Sequence, residues 1–307
     1  MGPRMVLVPE DRDFPEALRS IPHTPEQLYV LGNPAAMREG LAVVGARNAT
    51  PYGLAMARRF SSLAASRGIV VISGGARGCD SAAHESALEA GGQTVVFCGG
   101  GCDWVYPSRN RGLFQRVIDG GGALVSEYPW DTHPEPFMFR QRNRLIAGLS
   151  KATLIVEAGL PSGTFSTADE ALQANREVWA VPGAITSPKS AGANSLIAQG
   201  ATPIIDDESF LTALFLTFGV MRIPGSGEDQ SGDSAELSAM DKTRRWLLDA
   251  LRSQPMTLEA LMRAHSEGGT AGFFGVLLSS LTALEEQGLV QRFGDGRYGC
   301  VVASLRR

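Results

Sequence analysis

The sequence predicts an α/β fold: an extended Rossmann-like, doubly wound and mostly parallel sheet, with a small C-terminal winged-helix domain behind it. Three observations carry this reading. Apolar runs rich in Val, Ile and Ala recur without polar alternation, as expected of strands buried on both faces. Each run ends in turn residues and leads into a helix-like segment, the order that places crossover helices between parallel strands. The 36 glycines among 307 residues suit the tight strand-to-helix turns that such a sheet repeats.

Taken in order, residues 1–36, with "DFPEALRSIPHTPEQLYVLGNP", are proline-rich and only locally helical, a lead-in expected to pack on an edge of the sheet. Residues 37–220 form the sheet domain, with strands at "LAVVG" (41–45), "GIVVISG" (68–74), "QTVVFCG" (93–99), "GALVSE" (122–127), "ATLIVEA" (152–158) and "EVWAVPG" (177–183). Segments such as "YGLAMARRFSSLAASRG" and "CDSAAHESALEAGG" are the helices between them. Residues 221–240, "MRIPGSGEDQSGDSAELSAM", have little periodic apolar content and read as a linker. In residues 241–307, "DKTRRWLLDAL", "TLEALMRA" and "FFGVLLSSLTALEEQG" are helices, and "LVQRF", "GDG" and "RYGCV" a hairpin. Three helices before a hairpin is the winged-helix order. Such modules often meet duplex DNA with the third helix. Here that helix has no Lys or Arg and ends in Glu285 and Glu286, so a protein-contacting or structural role is expected.

A net charge of -4 argues against a protein that coats duplex DNA, because nonspecific affinity comes from phosphate neutralisation by Lys and Arg. A local basic groove is still permitted. No apolar run reaches the roughly 18–20 residues that span a bilayer, and "MGPRMVLVPEDRDF" has no signal-peptide core, so a cytoplasmic protein without membrane contact is expected. Cys79, Cys98, Cys102 and Cys300 are too scattered for a disulfide framework, and reduced thiols are the default. Cys98 and Cys102 flank three glycines with only Asp103 nearby, about two ligands short of a zinc site, so no metal is expected.

Ligands on doubly wound sheets sit beyond the C-terminal strand ends, so function is sought just after each run. After the first comes "GARNATPYG": Gly45 permits a tight turn, Ala46 and Arg47 follow, and Pro51 suits the first turn of a helix whose free amides attract anions. Arg47 is placed to grip a phosphate, or else ties loop carbonyls together. After the second, "SGGARGCDSAAH" supplies Gly74, Gly75 and Gly78, where a ligand can approach backbone amides without a Cβ in the way. It is neither G-x-G-x-x-G nor a Walker loop, so dinucleotide binding and ATP hydrolysis lack a motif. Asp80 and His84 lie four apart on one helical face, as a Lewis-acid pair, an acid/base pair, or a helix cap beside a hydrogen-bonded His. After "ATLIVEA", Ser162, Gly163 and Thr164 open another helix as an anion cradle, and Glu157 either orients an arginine or caps a turn.

"FMFRQRNRLIAGLSK" (137–151) carries Arg140, Arg142, Arg144 and Lys151 with no acid, in an acidic chain. Its Leu145, Ile146 and Leu149 face the sheet, and the arginines alternate ahead of that face, so they cannot all point one way. Arg142 and Arg144 are expected in the groove ahead of Arg140. Arginines beside Phe139 suit single-stranded nucleic acid: cations follow the phosphates while an exposed ring stacks a base, worth about 1–3 kcal/mol. A solvated basic helix end with Phe139 in the core is the alternative.

The blocks "VVGARNATPYG", "ISGGARGCDSAAH", "YPSRN", "LVSEYP", "FRQRNRLIAGLS", "VEAGLPSGTFSTADEAL", "REVWAVPG" and "GANSLIAQGA" follow one another in an order that resembles the DprA/Smf family of DNA-processing proteins, from about residue 26 to 209. The resemblance implies a Rossmann-like domain that binds single-stranded DNA in a basic pocket, forms homodimers and loads RecA recombinase onto the strand entering in natural transformation, with no catalytic residue and no cofactor. It assigns the pocket to Gly45, Ala46 and Arg47, to Phe139, Arg142, Asn143 and Arg144 with Arg140 between, and to Ser162, Gly163 and Thr164. Dimer contacts are implied around "NSLIAQGATPII". Leu160 and Pro161 stand where members usually carry a polar or basic residue, and Ala46 where Ser is commoner. The rival reading is a nucleotide-binding or nucleotide-hydrolysing enzyme resembling the LOG proteins, whose motif P-G-G-x-G-T-x-x-E ends in a carboxylate. Here Thr164 is followed three residues later by Thr167, so that carboxylate is absent.

Overall fold

The computed structural model describes residues 2–219 except 161 and, between 243 and 300, all but 245, 249, 252–255, 265–269, 287–289 and 293–295. Strands β3 (Gly40–Val44), β4 (Val71–Ser73), β5 (Thr94–Phe97) and β6 (Ala123–Ser126) are buried at every position, and β7 (Ser150–Ile155) at all but Lys151. Burial on both faces explains the continuous apolar runs. β8 (Glu177–Ala180) and the short β9 (Thr202–Pro203) extend the parallel part of the sheet.

The lead-in contributes more than a packed edge. Residues Arg4–Leu7 (β1) and Leu28–Gly32 (β2) are strands, β1 antiparallel to β2 and β2 antiparallel to β6. The expectation of a merely locally helical lead-in is therefore corrected. Its short helix α1 (Glu16–Arg19) is present, but "LYVLG" is a strand because all its residues except Tyr29 are buried against neighbours. The sheet order is β1-β2-β6-β5-β4-β3-β7-β8-β9.

Successive residues of β3 serve opposite faces. Leu41 and Val43 meet α2 (Pro51–Ala65), α3 (Cys79–Glu89) and α8 (Asp207–Phe218) through Phe60, Ala83 and Phe210. Ala42 and Val44 belong to the cluster with α5 (Pro136–Gly148), α6 (Thr164–Gln173) and α7 (Ala191–Ala198). Helix α4 (Arg111–Asp119) covers β5 and β6 with Leu113, Phe114 and Val117. From β3 the chain steps outward through β4, β5 and β6, then returns so that β7 pairs on the other side of β3, Val44 opposite Ile155. That reversal is a topological switch point, where adjacent strand ends splay their loops apart and leave a crevice.

The chain divides into two compact units, Met1–Ser226 and Gly227–Arg307. In the second, helices Leu258–Ala264 and Thr270–Glu286 follow helical positions at 243–244, 246–248 and 250–251. Strands β10 (Met256–Thr257), β11 (Val290–Arg292) and β12 (Arg297–Cys300) form a sheet in the order β10-β12-β11. β11 and β12 are the expected hairpin, and β10 is a strand that sequence reading did not anticipate. Leu247, Leu261, Leu277, Leu281 and Tyr298 make its core. The linker read at 221–240 lies outside the described residues. Among the described residues, no helix is long and apolar enough to cross a membrane.

Candidate nucleic-acid interface

A crevice of about 480 Å³ opens at the β3/β7 switch point. One wall is the loop after β3, with Gly45, Ala46 and Arg47; the second is α5, with Phe139, Arg140 and Asn143; the third is the start of α6, with Ser162, Gly163 and Thr164. Asp80 and Arg142 also line it. All the expected pocket residues except Arg144 are brought together there.

Arg47 lies with its guanidinium carbon 5.5 Å from the Phe139 ring centroid, and Tyr106 flanks the same ring at 5.4 Å. Phe139 is half-buried, so it is neither a free platform nor a core residue. Gly99 supports it from below: a Cβ there would fall 2.4 Å from Phe139 Cδ1. Arg140 is exposed on the rim.

Arg142 and Arg144 correct the expected order of the arginines. Arg142 is 5% exposed, and its Nη1 donates to the carbonyls of Gly74, at 2.7 Å, and of Phe97, tying the ends of β4 and β5 together. Gly74 is glycine for that reason, since a Cβ would sit 2.6 Å from the guanidinium. Arg144 turns away and pairs with Glu127 at 2.6 Å, both side chains largely buried. The cation expected second in the groove is thus neutralised outside it, and Arg140, expected last, reaches the rim. Asn143 links α5 to α6 by donating to Ser166 Oγ at 2.7 Å.

The glycines of "SGGARGCDSAAH" are also explained by packing rather than by ligand approach. Gly75 and Gly78 have φ of +70° and +85°, and a Cβ on Gly78 would lie 2.3 Å from the Ala46 carbonyl oxygen. Gly45 similarly makes room for Cys79, whose thiol burial pushes up to about 12. Asp80 accepts from the Ala76 amide at 3.2 Å; burial raises its pKa, opposed by Arg142 first, then by that amide and by Arg47. His84 is fully buried beside Thr94 Oγ1 at 2.6 Å, and burial lowers its pKa to about 3. Of the three readings for Asp80 and His84, the hydrogen-bonded histidine is present but the cap is not: the N-cap of α3 is Gly78 without a side-chain cap, and Asp80 bonds the loop ahead of the helix.

The two helix starts differ. The amide and hydroxyl of Thr50, the N-cap of α2, both donate to Glu157 Oε2, at 2.9 and 3.2 Å, so a carboxylate of the protein already fills the anion position expected beside Arg47. Glu157 holds the N-cap residue of α2, and among the described residues no arginine pairs with it. At α6, Ser162 Oγ accepts from the Thr164 amide at 3.2 Å, and exposed Gly163 leaves the entrance open.

Lys189 is a crevice residue that sequence reading missed. It sits in the loop after β8, anchored by the Gly192 amide donating to the Ala158 carbonyl at 2.8 Å. The strand-end rule, applied to "EVWAVPG", was the signal that could have found it.

Fold and crevice together define a Rossmann-like α/β protein with a cationic, aromatic-flanked site at its switch point. The chain belongs to the family of DNA recombination-mediator protein A, whose sequence profile matches residues 5–215. It is 41% identical over 229 residues to Protein Smf of Escherichia coli, covering 74% of this chain and 61% of that protein, under two thirds of the relative's length. It is 34% identical over 205 residues to DNA processing protein DprA of Bacillus subtilis, covering 66% and 69%. Among solved structures, DNA processing protein A of Streptococcus pneumoniae matches with a TM-score of 0.64 and 32% identity over 68% of this chain and 74% of that one. The protein of the same name from Helicobacter pylori, studied for its single-stranded DNA binding mode, matches with a TM-score of 0.63 and 29% identity, covering 70% and 97%.

Proposed function

We propose that this recombination-mediator family member binds single-stranded DNA in the switch-point crevice and delivers it to a RecA recombinase, without covalent chemistry of its own. The observation that carries the reading is that Arg47, Arg140 and Lys189 surround a half-buried phenylalanine and, among the described residues, have no carboxylate within ion-pair distance. Unpaired cations around an aromatic ring suit a flexible strand, whose phosphates and splayed bases reach both at once. A duplex keeps its bases stacked inside and offers the ring nothing.

The homodimer belongs to the same proposal, with α7 and β9 as the contact, where Ile205 is exposed. The second unit is read as a winged helix that meets protein. The competing nucleotide-hydrolase reading is disfavoured by Thr167 at the position of the needed acid. The carboxylate that does line the crevice, Asp80, is buried beside Arg142.

A gel shift with oligo-dT and a matching duplex, at two salt concentrations, on the full chain and on a chain ending after residue 226, tests the reading. Preference for oligo-dT, equal in both chains and weakened by salt, is expected. Unchanged oligo-dT binding by Arg47→Ala would sink it.

A further inference from the structure

Arg47 borders more than the crevice. It also lines two further hollows, of about 330 and 300 Å³, which share Arg47, Arg77 and Arg109, and the first of them meets the crevice at Arg47 and Ala76. They are adjoining stretches of one groove that begins where the crevice ends. Its floor is rigid. The Cys79 amide donates to the Ala46 carbonyl at 3.3 Å, and a Cβ on Gly78 would lie 2.3 and 2.6 Å from the carbonyl oxygens of Ala46 and Arg47, so the loops that carry Arg47 and Arg77 touch backbone to backbone. Buried Asn110 donates from Nδ2 to the Gly75 carbonyl and to Ser81 Oγ, both at 2.9 Å, which pins the segment bearing Tyr106 and Arg109 to the same floor.

Three side chains stand on this floor with no structural duty. Arg77 and Arg109 are exposed and, among the described residues, have no carboxylate within ion-pair distance. Glu85, which lines the second hollow, lies 4.0 Å from Arg58 instead. Arg47, Arg77 and Arg109 thus gather round the first hollow with no acid among its described lining, and a string of phosphates relieves their mutual repulsion. Tyr106 is 56% exposed, and its ring centroid lies 5.4 Å from that of Phe139 with the planes at 54°. A base sandwiched between two rings needs two stacking steps of about 3.4 Å each and parallel faces. No base fits between these rings, so each offers its own outer face, and together they make a stepped platform for two bases.

We propose that single-stranded DNA runs out of the crevice past Arg47 into this groove, where Tyr106 stacks a base beyond the one on Phe139 and Arg77 and Arg109 hold the phosphates that follow. The route rests on the crevice reading above and adds to it a second aromatic platform and two cations. A duplex brings phosphates to the arginines but no base face to Tyr106.

The full chain is bound to oligo-dT substituted with 5-iodouracil, irradiated, digested with trypsin and sequenced by mass. Crosslinks are expected at Tyr106, in peptide 78–109, and at Phe139, in peptide 117–140. Arg77→Ala and Arg109→Ala each flatten the log–log salt dependence of oligo-dT binding by about 0.7. Tyr106→Ala weakens binding about five- to tenfold without changing that slope, the lower part of the range for one lost base–aromatic stack, and Tyr106→Phe, which keeps the ring, recovers the loss. A crosslink at Phe139 without one at Tyr106, an unchanged slope in either arginine variant, binding by Tyr106→Ala as tight as the parent's, or Tyr106→Phe as weak as Tyr106→Ala overturns the proposal. Arg140 and Lys189 line the crevice and not the groove. Parent-like binding by both Arg140→Ala and Lys189→Ala refutes the crevice reading instead, and the groove is still judged by the Tyr106 crosslink and the two slopes.

Discussion

Arginine is one letter with three fates in and around this crevice. Arg47 stands over an aromatic ring, Arg142 is a buried tie, and Arg144 is half of an ion pair. Arg47→Ala and Lys189→Ala are each expected to flatten the log–log salt dependence of oligo-dT binding by about 0.7, the value for one phosphate contact on a single strand. Arg144→Ala should leave that slope unchanged while lowering the urea midpoint. Arg142→Met strands two carbonyls and leaves Asp80 without its nearest cation, a loss on the order of 3–5 kcal/mol in urea unfolding. His84 supplies a pH dependence. Its folded pKa is about 3 and its unfolded value about 6.5, so the unfolded chain takes up the proton first. The stability it contributes is complete above about pH 6.5 and is lost as pH falls from there toward 3, by up to about 1.4 kcal/mol per unit. His84→Asn, which keeps a donor toward Thr94, should remove that slope in urea titrations at pH 7 and 5. The strand-end rule and the run of basic residues made Arg47, Arg140 and Phe139 legible in the sequence. The burial of Arg142 was not, because it depends on a hole left by Gly74, sixty-eight positions away in the chain.

At the scale of elements, the crevice is held open by loops that lock one another. Gly53, in the first turn of α2, would place a Cβ 2.0 Å from Glu157 Oε2, so Gly53→Ala should push the carboxylate off the helix start. A loss of about 1–2 kcal/mol is expected, as for a deleted N-cap. Combining it with Glu157→Ala should cost less than the sum, because both remove one interaction. The buried strands were readable because burial on both faces leaves an uninterrupted apolar run. β1 and β2 were not, since a strand of four or five residues amid prolines carries too little pattern to separate it from a loop.

At the scale of the molecule, the doubly wound order and the point of reversal decide where a ligand can sit, and both were readable from the alternation of apolar runs and helices. The anion position of α2 escaped the same reading, because the group that fills it comes from the opposite side of the switch point. The crevice draws its walls from residues as far apart as Val44 and Lys189. A chain emerging from the ribosome therefore has no such site until residue 189 has been made. Strands β3 to β6 can pair as they appear, but β7 must return to β3, and the loop after β8 must follow, before any wall faces another. Competence to hold a strand is thus a late, all-at-once property of synthesis, and a fragment cut short ahead of residue 189 would expose its basic segments without a groove to confine them.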